Sequence, residues 1–193
     1  FLFFYIIFSD FPQMYSSKIN MTQSCHISWD IIFNINKTGV KFMRKADDIL
    51  DYCIKNLKGT VLIETWGEKA VFYNPGNILK KGVYVLTIKE KDGENDKASG
   101  LDRKDIFRVN LGLRKEAFIK LFGEIPARPA AGRVVDMNYD FKKTDEILPH
   151  PVYAWMGWIS ILNPAKNTDN TLIPFINEAY SFAKEKFEKR HSK

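Results

Sequence analysis

From Met43 onward the hydrophobic positions switch between a helical and a strand period. Ile49, Leu50, Cys53, Ile54 and Leu57 recur at helical spacing after the acidic pair Asp47-Asp48 and before Gly59, which predicts a one-faced amphipathic helix. Thr60 to Trp66 and Lys69 to Asn74 read as two strands joined at Gly67-Glu68, and Gly82 to Glu90, rich in Val, Tyr, Ile and Thr, as a third. The stretch Lys91 to Gly100 has no large apolar residue to anchor it and is expected to be a mobile loop. Ile106 to Leu111 reads as a fourth strand. Arg114 to Phe122, with Ala117, Phe118, Leu121 and Phe122 on one side, reads as a helix stopped by Gly123. A turn or short helix at Lys142 to Ile147 leads into Leu148-Pro149-His150-Pro151, where the prolines impose extended backbone. Gly157 to Leu162 is the fifth strand, and a last helix starts near Thr171 with Pro174 in its first turn and Leu172, Ile176, Ala179, Ala183 and Phe187 as its buried stripe. Helix, four strands, helix, strand, helix, with short links, implies a two-layer α+β sandwich. Its sheet is mainly antiparallel, of about five strands, with the helices on one face.

The first forty-two residues have a different composition. Phe1 to Phe42 contain no Ala, Glu or Arg, whereas Met43 to Lys193 contain 11, 10 and 7 of them. Phe, Ile, Asn, Ser and Tyr crowd the segment instead, a bias typical of translated spacer DNA. The expectation is that residues 1–42 are a non-native leader or a disordered arm, and that residues 43–193 form a single α+β domain. Phe1 to Phe8 is apolar but lacks the basic flank and small-residue cleavage site of a signal peptide.

Length and composition narrow the class further. A chain of 193 residues, 45% hydrophobic and 27% charged, is long enough for one buried core. No apolar run approaches the roughly 18 residues of a membrane-spanning helix, so no membrane partner is expected. Two cysteines and three scattered histidines, at 26, 150 and 191, suit neither a disulfide framework nor a zinc site. A reduced, cytoplasmic compartment, no metal and no cofactor are the expectations. The formal net charge of +6 and the cations Lys184, Lys186, Lys189, Arg190 and Lys193 raise nucleic-acid binding as an option. The interleaved Glu178, Glu185 and Glu188 favour a solvated helix end whose cations complement the macrodipole.

His150-Pro151-Val152-Tyr153-Ala154, followed by Gly157-Trp158 and Asn163-Pro164, resembles an uncharacterised bacterial family, domain-of-unknown-function family 6194. Phe72-Tyr73-Asn74-Pro75, Leu101-Asp102-Arg103, Phe107 to Gly112 and Phe118 through Gly123 stand in the order that family shows. More distantly the layout is similar to that of YjbR-like proteins, whose two-layer fold resembles that of the frataxin-like CyaY proteins. The resemblance implies a fold and no established activity.

In the fourth strand Phe107, Val109 and Leu111 alternate with Arg108, Asn110 and Gly112, so the second set faces away from the helices. Arg108, Asn110, Glu64 and Trp158 are then expected to gather on the open sheet face, where an Arg and an amide beside indoles grip an anionic or planar ligand. The competing interpretation is an Arg108–Glu64 cross-strand pair. His150, between two prolines, is either a general acid or base or a loop-fixing residue bonded to backbone carbonyls. Cys53 reads as core, Ser99 lacks the setting of a nucleophile elbow, and Asp102-Arg103 reads as a salt-bridged loop anchor. The favoured function is a small-molecule or anion-binding module. In it Arg108 holds the anion, Asn110 and Asn163 orient it, Tyr153 and Trp158 stack on it, and His150 stands at the entrance. An enzyme using His150, and a nucleic-acid or protein interaction domain, are the alternatives.

Overall fold

The structure, a computed structural model, describes residues 45–191 apart from Trp66. These residues all fall in one compact unit, Lys41–Lys193. The expected leader, 1–42, lies outside the described residues, as do Trp66 and Lys193.

Acidic Asp47 and Asp48 open helix α1 (Ala46–Asn56), whose Ile49, Leu50 and Cys53 are buried. Ile54, expected on the same stripe, is exposed. Strands β1 (Thr60–Thr65), β2 (Glu68–Tyr73), β3 (Val83–Lys89) and β4 (Arg108–Gly112) follow, then α2 (Lys115–Phe122), β5 (Ile147–Pro149), β6 (Trp158–Leu162) and α3 (Asp169–His191). The sheet has the order β1-β2-β3-β4-β6-β5 with every neighbouring pair antiparallel. The sixth strand is β5, where the sequence suggested a turn and extended backbone. It is three residues long and lies on the edge, the place where Pro149 is tolerated because no further strand needs its missing N–H. Helix α3 begins two residues earlier than expected, which places Pro174 inside it rather than in its first turn.

The helices share one sheet face. Val71, Leu86, Ile88, Val109, Leu111, Ile159 and Ile161 form a continuous core with Leu50, Cys53, Phe118, Leu172, Ile176 and Ala183. Burial pushes the Cys53 thiol up to about 12, so it behaves as a small apolar core residue.

One irregularity decides what faces the other side. Val71 pairs with Leu86 but Phe72 pairs with Tyr84, so Val85 is an extra residue in β3. Val85 and Leu86 both enter the core, and the alternation then turns Tyr84 to the open face.

The polar loop 91–100 was expected to move freely for want of an apolar anchor. Its anchors are polar instead. Gly93 and Asp96 exchange backbone hydrogen bonds of 3.1 and 3.2 Å, the Asp92 carboxylate accepts from Leu101 N–H at 2.9 Å, and Asp102 accepts from Asp92 N–H at 3.1 Å.

Candidate functional site

On β4 the expected alternation holds: Val109 and Leu111 enter the helix-side core, while Arg108 and Asn110 face the open side. Loop 91–100 covers that side at Arg108, which is fully buried. Its Nε donates to Asn110 Oδ1 at 2.8 Å, and Nη1 donates to Asp96 Oδ1 at 3.0 Å and Ser99 Oγ at 2.8 Å. Nη2 donates to the other Asp96 oxygen. Asn110 Nδ2 donates in turn to Thr87 Oγ1 at 2.9 Å, its partner across the β3–β4 pair. The nearly buried Lys89 extends the network, with Nζ 3.1 Å from Asp96 Oδ2 and 3.2 Å from Glu68 Oε1. Glu68, Lys89, Asp96 and Arg108 together carry no net charge. Burial would raise the Asp96 pKa, but the hydrogen bonds and charge of Arg108, helped by Lys89, hold it well below the usual carboxylate range.

The carboxylate facing Arg108 is therefore Asp96 and not Glu64. Glu64 lies on β1, paired in register with Lys69, and three strand spacings, about 14 Å, separate β1 from β4. Nearly every guanidinium hydrogen already has an acceptor within the protein, so Arg108 has little left for an external anion. Ser99, buried and bonded to Arg108, belongs to the same network. Asp102 and Arg103 do anchor the loop, though through backbone and not through each other: Arg103 donates to the carbonyls of Gly100, Ser99 and Lys142.

His150 is buried with Nε2 3.4 Å from Arg108 Nη2. Its Nδ1 accepts from the backbone N–H of Val152 and of Tyr153, both at 3.1 Å, and so fixes the turn that follows. The expected bonds to carbonyls are replaced by bonds from amides. A nitrogen that accepts two N–H groups carries no proton, so the pattern assigns the neutral ring's proton to Nε2. Burial, and then the adjacent guanidinium, push the His150 pKa well below its ordinary 6.5, against the opposing pull of Asp96. A general base needs a free lone pair and a general acid an accessible imidazolium, and burial together with the two amide bonds to Nδ1 disfavours both. In that tautomer Nε2 is a donor, 3.4 Å from Arg108 Nη2.

Beside this network a pocket of about 270 Å³ opens between the sheet and the 150–156 turn. Ala70 and Thr87 lie at its floor, Tyr84, Tyr153, Met156 and Trp158 at its walls, Thr65 and Glu68 toward the β1–β2 turn, and His150 at the junction with the buried network. Two glycines place Trp158. Gly112 is its register partner, and a Cβ there would stand 3.1 Å from the indole Cε2, so a bare backbone lets the ring lie against the sheet. Gly157, at φ 84°, closes the 3-10 turn Ala154–Met156; a Cβ there would meet Leu113 O at 2.9 Å. The Tyr84 and Trp158 rings meet at 73° with centroids 6.0 Å apart, and His150 stands at 87° to Trp158 at 6.4 Å. Near-perpendicular rings form adjacent walls.

Of the residues singled out in the sequence, His150, Tyr153 and Trp158 line the pocket, and Arg108 and Asn110 support it from the buried network. Asn163 lies elsewhere. It sits five residues along β6 from Trp158, about 17 Å, where its side chain accepts from Phe107 N–H and donates to Asp105 O, both at 2.8 Å. Tyr84, Glu68 and Asp96 were not anticipated. Tyr84 was hidden by the bulge and Asp96 by a polar run with no periodicity.

Two of the C-terminal cations lie against rings of their own helix. Lys186 Nζ lies 3.8 Å from the Phe182 ring centroid, Lys184 lies 5.5 Å from that of Tyr180, and Glu178 and Glu185 pair with Arg114. Among the described residues no cluster of His, Cys, Asp or Glu is arranged to hold a metal ion, and no helix is long and apolar enough to cross a membrane.

Fold and site define a class: among the described residues, an α+β fold with one open antiparallel sheet, backed by three helices and bearing an aromatic-walled pocket on its other face. The chain belongs to the family of unknown function DUF6194, whose profile matches residues 43–192. No curated protein and no solved structure matches it.

Proposed function

We propose that this domain is a binding module for a small planar organic molecule, held in the pocket between the open sheet face and the 150–156 turn. The observation that carries the proposal is the lining itself: aromatic walls at near right angles, beside the buried imidazole of His150. A ring inserted there stacks on Trp158 or Tyr153 and presents an acceptor atom to His150. The anion half of the initial expectation loses its support, because Arg108 and Lys89 are already paired with carboxylates. The catalytic reading loses its support with the lone pairs of His150.

Three finer attributes belong to the same proposal. A YjbR-like fold is supported by the two-layer arrangement, a bacterial cytoplasmic setting by the family resemblance and the free buried thiol of Cys53, and one domain over 43–193 by the continuous core.

Screening a library of planar fragments against the full chain by two-dimensional NMR tests the binding reading. Fragments bearing a ring acceptor should shift the Trp158 indole and His150 imidazole signals, and Trp158→Leu should abolish the shifts. Hits that perturb other surfaces only, or that persist unchanged in Trp158→Leu, would overturn it.

A further inference from the structure

We infer that the pocket prefers an organic cation, a quaternary or methylated ammonium carried on an apolar or planar group, over neutral and anionic ligands of the same shape. This inference deepens the binding proposal above and rests on it. It starts from the charges at the pocket wall. Among the described lining residues only Glu68 carries a formal charge, since the His150 ring is held neutral. The cations of the adjoining network, Lys89 and Arg108, are absent from the described lining and paired with the network's carboxylates. The four charged groups sum to zero, and the member that lines the pocket itself is Glu68, at the end away from Arg108 and His150. Lys89 holds Oε1 of that carboxylate at 3.2 Å.

The walls act in the same direction. The faces of Tyr84, Tyr153 and Trp158 carry the negative end of the ring quadrupole, and a cation within about 6 Å of such a face is attracted by it. Tyr84 and Trp158 stand at 73°, so a compact cation in the corner between them can touch both rings. An ammonium bearing methyl groups fits such a corner better than a primary amine does. Its hydration is weak, and its diffuse charge loses less on leaving water. A carboxylate in the corner between Tyr84 and Trp158 would meet Glu68 and the ring faces, with only the neutral His150 N–H to compensate.

A charge series on one shape tests the inference on the full chain: benzyltrimethylammonium, benzyl alcohol and phenylacetate, titrated by NMR on the Trp158 indole signal at low salt. The expected order is cation, then alcohol, then carboxylate, with at least a tenfold span between the first and the last. Glu68→Gln should weaken the cation about fivefold and leave the alcohol unchanged, and its far-ultraviolet spectrum and thermal midpoint report whether it is folded. Phenylacetate binding as tightly as the cation in the wild-type protein would overturn the inference without any variant. Benzyl alcohol binding with no preference among the three would remove the cation preference and keep the pocket. No shift of the Trp158 signal with any probe would remove both.

Discussion

Arg108 and Asp96 are the pair on which the open face depends. A buried guanidinium deprived of its carboxylate has no other strong anion to turn to, since Glu68 is engaged by Lys89. Asp96→Asn should therefore lower stability by about 3 kcal/mol in urea denaturation, and Asp96→Leu combined with Arg108→Met should recover much of that loss. The pH dependence follows from the two shifted groups. Native Asp96 resists protonation, so its contribution is present above its ordinary value of 3.8 and is lost as pH falls below it. Native His150 likewise resists protonation, and the unfolded chain takes up a proton below 6.5 that the folded one refuses. Stability is thus complete above that pH and declines below it, by up to about 1.4 kcal/mol per pH unit for this one group. Nitrogen NMR at pH 6 should find the ring neutral with its proton on Nε2; a protonated ring, or a proton on Nδ1, contradicts the assignment.

At the scale of elements, the site depends on two departures from regular strand geometry. The extra Val85 reverses the alternation in β3, and the left-handed Gly157 turns the chain from the 3-10 turn into β6. Gly157 and Gly123 both have positive φ, 84° and 88°, but only Gly157 has a neighbour, Leu113 O, in the path of a Cβ. Gly123→Ala should cost about 1 kcal/mol of backbone strain. Gly157→Ala should cost distinctly more, because the clash adds to the strain and displaces Trp158. Thermal unfolding of the two variants side by side, with the Trp158 indole signal as local reporter, checks both the order and the displacement. A strict two-residue period counted back from Leu86 would have put Tyr84 in the core, which is why that wall was not legible in the sequence. Strand β5 was missed for a related reason: three residues with a proline give no period, and only pairing with β6 makes them a strand.

At the scale of the molecule, the pocket draws walls from β2, β3, β6 and the 150–156 turn, so a ligand there holds together elements far apart in the chain. A ligand present at one hundred times its Kd should stabilise the fold by about 2.7 kcal/mol. The gain should appear as slower hydrogen exchange throughout the central strands and not at the pocket rim alone; protection confined to the 150–156 turn would mean that the pocket is not coupled to the sheet. Local pattern was enough for the helix-backed antiparallel sheet, the buried stripes of α1 and α3, and the opposite facings of Val109 and Arg108. Each of these depends on residues two to four positions apart, and burial imposes that spacing directly. The partner of Arg108, the proton position on His150 and the makeup of the pocket were decided only in three dimensions. Asp96 reaches Arg108 across 12 positions and His150 meets it across 42, and neither contact leaves a periodic trace. An unpaired charge in a dry interior is costly enough to require some partner, but which residue serves is settled by the path of the loop that covers it.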